Sequence, residues 1–189
     1  SLPAPSASRK VKVSDVADII RGDEVPLLGT SEVDKAMATY IRLMHCESAP
    51  EAEPSGDQLS VLADILRTSG SCYVDLAIWG PHGIRIAKAM KLNGLTLIPQ
   101  GVNHQEFKGP PDYGRWAACF RVFMTAMVML GACSPPHLLA YAEMIGKYAK
   151  RYGQACWAVI CQVETRFRRG HMERLRRRKS KLFGRSHLG

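Results

Sequence analysis

"WAACFRVFMTAMVMLGAC", residues 116–133, is the most apolar run in the chain, and its reading decides the fold. Trp116, Phe120, Phe123, Met127 and Leu130 recur at three- and four-residue steps, the period of an α-helix. Val122, Met124 and Met129 widen that stripe until little polar face remains, so the helix must be buried on most sides and other elements must surround it. Arg121 interrupts the run, which also falls short of the about 20 apolar residues that cross a bilayer. A core helix is expected, not a membrane span.

Downstream, "SPPHLLAYAEMIGKYAKRYG" (134–153) starts a second helix with Ser134 as its cap and Pro135 in its first turn. Leu138, Leu139, Tyr141, Met144, Ile145 and Tyr148 are spaced to pack, and Gly153 ends the helix. A last helix begins near Gln154, with Trp157, Ile160, Cys161 and Glu164 or Thr165 following; only its first half has an apolar face.

Upstream, "GLTLIPQGVNHQEFKGPP" alternates polar and apolar residues around "PQG", which predicts one small β-hairpin over about residues 95–107 and no other sheet. Pro81 opens a helix through "HGIRIAKAMKLNG" that stops at Asn93 and Gly94, while "CYVDLAIWG" reads equally as helix or strand. Leu59, Leu62, Ile65 and Leu66 mark a helix ending near Gly70. Thr30 or Ser31 caps another, with Val33, Met37, Tyr40, Ile41 and Met44 on one face. Ser14 caps a short one reaching Arg21. The acidic, proline-containing stretch 47–57 reads as a linker.

The fold class is therefore mainly α: a helical domain over residues 14–165 with one small hairpin, preceded by a flexible arm (1–13) and followed by a basic helical extension and tail (166–189). At 46% hydrophobic and 23% charged the composition is that of an ordinary globular protein, which excludes wholesale disorder. The opening "SLPAPSASRK" has no apolar centre, so no secretory signal is expected. None of the six cysteines forms a Cys-x-x-Cys pair; buried, reduced thiols and an intracellular, reducing setting, nucleus or cytoplasm, are expected.

Charge is distributed unevenly. The net charge is +9, yet from Glu164 to Gly189 there are 10 basic and 2 acidic residues, against 16 and 15 in the rest of the chain. Arg166, Arg168, Arg169, Arg174, Arg176, Arg177, Arg178, Lys179 and Lys181 fall in "RFRRGHMERLRRRKSK" (166–181). On a helix they project at about 100° steps and leave no neutral face to dock, so this half is expected to protrude into solvent. Arginine outnumbers lysine there, and its planar fork suits phosphate oxygens and stacks on bases. These nine residues are the candidate nucleic-acid contacts, with RNA or single-stranded DNA as the partner.

The segments "YVDLAIWGPHG", "KGPPDYGRW", "CFRVFMTAMVML" and "CWAVICQVETRFRRGHMERLRRR" together resemble a recurrent class of reading frames in protist genomes, often retroelement-associated, over roughly residues 60–178. The resemblance implies a mobile-element protein, analogous to a nucleic-acid packaging subunit, and implies no catalytic residue. The chain departs from retroviral-type packaging proteins in lacking a Cys and His zinc knuckle, whose place basic residues would take.

Other readings of the basic stretch are a nuclear-import address recognised by an import receptor, a patch on acidic lipid, and a solvated helix end. A membrane-binding helix needs an apolar face opposite its charge, and Phe167, Met172, Leu175 and Leu182 are too scattered for one. The alternative function is a protein-interaction or assembly module with a basic import tail. No phosphate-binding loop, His-Glu-x-x-His or Gly-x-Ser-x-Gly motif is present, so no catalytic residue, metal or cofactor is assigned. Trp79, Trp116 and Trp157 read as core rather than as a base-stacking platform. A pocket lined by Asp75, His82 or His104 would favour an enzyme.

Overall fold

A computed structural model of the protein describes the backbone of residues 10–12, 24–68, 73–81, 88–91, 96–98, 101–103 and 106–183, and side chains within 25–68, 73–81 and 109–170. Strand β1 (Lys10–Lys12) pairs antiparallel with β2 (Glu24–Pro26). Helices α1 (Thr30–Met44) and α2 (Gly56–Thr68) follow, separated by a 3-10 turn at Pro50–Ala52, and another such turn spans Leu76–Ile78. After strands β3 (Lys88–Lys91), β4 (Thr96–Ile98), β5 (Gly101–Asn103) and β6 (Glu106–Gly109), the chain is helical. It forms α3 (Tyr113–Met129), α4 (Pro135–Tyr152), a 3-10 turn at Gln154–Cys156 and α5 (Trp157–Phe183). The fold is mainly α.

Helix α3 is the centre. The carboxylate of Asp112 caps it, accepting a hydrogen bond from the Arg115 N–H at 2.8 Å. Ten of its side chains are buried, from Trp116 to Met129, as its nearly complete apolar girth requires. It stops at Gly131, whose left-handed φ of 62° lets the Ala132 N–H reach back to the Met127 carbonyl at 2.9 Å. Helices α1, α2 and α4 and the first two 3-10 turns all pack on it.

Aromatic rings knit these layers together. Trp79 meets Phe123 edge-on at 5.4 Å, Trp116 stacks on Phe120 at 4.9 Å, and Trp157 meets Trp116 edge-on at 6.3 Å. All three tryptophans are buried, as expected for core residues. The Trp157 indole N–H donates to the Pro110 carbonyl at 2.8 Å, which ties the start of α5 to the segment leading into α3. Buried Gln58 plays the same part for the stretch after α2, donating to the Ile78 carbonyl at 2.9 Å.

Several expectations are corrected. Residues 88–91, read as helix, form a strand with Lys88 opposite Gly109: the helix-prone Lys, Ala and Met there are overruled by pairing with β6. The expected hairpin is present as β4 against β5, with Ile98 opposite Gly101, but it is not the only pairing, and β1 lies inside the stretch read as a flexible arm. The cap of α1 is Gly29, whose N–H donates to Glu32 Oε2 at 2.9 Å, and not Thr30 or Ser31. Leu139, Met144 and Tyr148, expected to pack, are 49%, 38% and 46% exposed, because α4 lies at the edge with only one side on α3. Of the thiols, Cys119 and Cys161 are buried, and burial pushes each up to about 12, but Cys46 and Cys156 are exposed. The helix expected from Ser14 to Arg21 lies outside the described residues.

Helices α3 and α4 approach closely at Gly146, where a Cβ would stand 2.6 Å from the Tyr113 hydroxyl oxygen and 3.4 Å from the next ring atom. Gly146→Ala is expected to destabilise the protein by about 1–3 kcal/mol despite the better helix propensity of alanine. Adding Tyr113→Phe, which removes that oxygen, should restore most of the loss; urea denaturation midpoints of the two variants check this.

Candidate functional site

The last helix has two halves with different tasks. Its first half lies antiparallel to α4 across the short turn at residues 153–156. Gly153, at φ 71° and ψ 180°, takes a backbone conformation open essentially to glycine alone. The register is set where Tyr141 stacks on Phe167 at 6.3 Å and donates to Glu164 Oε1 at 3.2 Å.

Within this half the structure separates the first three candidate arginines. Arg166 and Arg169 are exposed, whereas Arg168 is 5% exposed. Its Nε donates to Glu164 Oε1 at 2.8 Å, its Nη1 donates to the Val74 carbonyl, and its guanidinium lies over the Tyr73 ring at 4.9 Å. Burial disfavours the Arg168 charge, but the Glu164 carboxylate outweighs that penalty and holds the guanidinium above its ordinary pKa. Arg168 is therefore removed from the candidate nucleic-acid contacts, since a cation already paired and enclosed cannot also reach a phosphate. Arg169 lies over the same tyrosine, 4.6 Å from the ring centroid, and its Nη2 donates to the Tyr73 hydroxyl at 3.5 Å. Burial raises the Tyr73 phenol, against the lowering influence of the two guanidinium groups.

Beyond Phe167 the helix continues without a break to Phe183. Because Tyr141 sits level with Phe167 and α4 begins six residues earlier, α5 passes the start of α4 near residue 173. About ten residues, or ~15 Å of helix, extend past it. Arg174, Arg176, Arg177, Arg178, Lys179 and Lys181 all fall on this overhang; their side chains lie outside the described residues.

The opposite side of the α4–α5 hairpin carries a feature that the sequence reading missed. Met144, Tyr148 and Tyr152 on α4 and Val159, Val163 and Phe167 on α5, each set at four-residue steps, line an open groove of about 510 Å³. Their i, i+4, i+8 spacing was the available signal. It was overlooked because α5 presents two apolar faces at once, one against the core and one outward.

A smaller cleft of about 190 Å³ is bordered by Asp75, Trp116, Glu164 and Arg168. Among the described residues its carboxylates are already engaged. The Asp75 carboxylate caps the Leu76–Ile78 turn, accepting from the Ala77 N–H at 2.9 Å, and Glu164 and Arg168 neutralise each other. His82 and His104 lie outside the described residues. Among the described residues no cluster of three or more His, Cys, Asp or Glu side chains is placed to hold a metal ion, and no helix is long and apolar enough to cross a membrane. Comparison with known protein families, with curated proteins and with solved structures finds no match.

The Arg168–Glu164 pair sets a test of which arginines are structural. Arg168→Ala leaves a buried carboxylate without its partner and is expected to cost about 3–5 kcal/mol, whereas replacing both residues, Arg168→Met with Glu164→Leu, should cost far less. Urea unfolding at neutral pH reads both. Equal losses in the two variants would count against the pair as the anchor.

Proposed function

We propose that the chain is a non-catalytic nucleic-acid-binding protein of packaging or adaptor type, akin to the retroelement reading frames it resembles, and that α5 contacts RNA or single-stranded DNA with little sequence preference. The observation that supports this reading is the course of α5. One continuous helix is anchored through Trp157 and Arg168, and its continuation carries six basic residues past the start of α4. Arg166 and Arg169 extend the basic surface back onto the folded body, so the contact set becomes Arg166, Arg169, Arg174, Arg176, Arg177, Arg178, Lys179 and Lys181.

Neutralising phosphates with such a row releases counterions, and this supplies affinity without base recognition. Like charges spaced this densely repel one another, so a polyanion also stabilises the helix that it binds. The second reading, a protein-interaction module whose tail serves nuclear import, is favoured by the exposed apolar groove.

With about six phosphate contacts, binding of a mixed-sequence 20-nucleotide RNA should fall with salt at a log slope near −4, or about 300-fold between 50 and 200 mM. Replacing Arg174, Arg176, Arg177 and Arg178 together by alanine is expected to flatten that slope to about −1. Fluorescence anisotropy of the full chain measures both. A slope that the four substitutions leave unchanged would pass the argument to the import-tail reading.

A further inference from the structure

An apolar face left in water calls for an explanation. Met144, Tyr148, Tyr152, Val159, Val163 and Phe167 are 38% to 60% exposed, and they adjoin one another along a single groove. Large apolar side chains exposed side by side, rather than scattered singly, mark a surface that another molecule covers.

We propose that this groove is a docking site for an amphipathic α-helix of another protein, one whose apolar stripe is flanked by Asp and Glu. The shape argues for a helix. Two antiparallel helices with outward ridges at i, i+4 and i+8 form a trough that a third helix fills at ordinary helix-packing distance, its own i, i+3, i+4 and i+7 side chains entering between the ridges.

The lining is a poor seat for nucleic-acid bases. Rings of Tyr148, Tyr152 and Phe167 are present, but the lining is almost entirely carbon, so the polar edges of a base enclosed there would be buried with few partners.

Charge selects the partner's flanks. Helical register places Lys147 and Arg151 along the α4 rim and Arg166 along the α5 rim, all exposed. Of the carboxylates there, Glu143 is paired with Lys147 at 2.8 Å, which lowers its pKa through a hydrogen bond and then through charge, and buried Glu164 is paired with Arg168, so the net positive charge of the rims rests with Arg151 and Arg166. A second copy of this chain would bring the same cations against one another, whereas acidic flanks would meet them. Apart from Arg166, the groove and its rims share no residue with the proposed nucleic-acid contacts.

The test uses the full chain and three labelled 18-residue helical peptides: a Leu and Phe stripe with Glu flanks, the same stripe with Lys flanks, and the Glu peptide with serine in place of the stripe. In 150 mM salt the first should bind at least tenfold tighter than either control. Val163→Glu, a change at a 60% exposed position, should weaken that binding at least tenfold with unchanged circular dichroism and Tm. RNA affinity should survive Val163→Glu and fall in the four-arginine variant, so each reading can fail alone.

Equal binding of the three peptides, or indifference to Val163→Glu, overturns the proposal. So does a dimer in sedimentation equilibrium that Val163→Glu dissociates, which would make a second copy the occupant. Loss of RNA binding in that variant would instead assign the groove to bases.

Discussion

A cation enclosed by protein must be paired, and in this fold that requirement sorts the arginines of the last helix. Arg168 sits at the point where α5 leaves the core. It turns inward to Glu164 one helical turn behind it and to the Val74 carbonyl from a distant part of the chain. The two contacts do different things. Glu164 makes burial of the charge tolerable, while Val74 and Tyr73 fix the helix against the segment that leads into the Leu76–Ile78 turn. Without that clamp, the beginning of the basic half would be held by its packing on α4 and by the exposed Arg169 on Tyr73. With it, the overhang starts from a fixed point and a fixed direction.

The groove follows from the same economy of elements. Helix α3 is apolar nearly all round and consumes α1, α2, α4 and the early 3-10 turns as cover. Helix α5 then uses Trp157 and Cys161 against that core and Glu164 and Phe167 against Tyr141 of α4. The aromatic chain running from Trp79 through Phe123, Phe120 and Tyr141 reaches the surface at Phe167, which is 55% exposed. Among the described residues no further element remains to close the outer side of the hairpin. The apolar residues there are therefore not a lapse in patterning but a third layer's worth of contacts without the third layer. Basic overhang and apolar groove thus share one helix while using different stretches of it.

Much of this was legible in the sequence where local rules decide. The girth of 116–130 identified the central helix, Ser134 with Pro135 and Gly153 bracketed α4, and the tryptophans were assigned to the core, where they lie. The cap of α1 failed locally, on Glu32 three residues from Gly29, but the larger failures share one cause, the parts of the chain distant in sequence. Residues 88–91 have helix-forming composition, and only β6, about 18 residues on, makes them a strand. Met144 and Tyr148 have core spacing, and only the absence of a covering element among the described residues leaves them exposed.

Arg168 is the sharpest case. Glu164 stands four residues before it, the spacing of a helical ion pair, so the pairing itself could have been read. What could not be read is that the pair is buried, because the enclosure comes from Tyr73 and Val74, more than 90 residues away. On an exposed helix the same Glu and Arg would contribute a few tenths of a kcal/mol and leave the guanidinium available; enclosed, they become an anchor and withdraw it. Identical spacing thus gives opposite functional assignments, and the deciding variable is solvent access, which a one-dimensional pattern of charges does not carry.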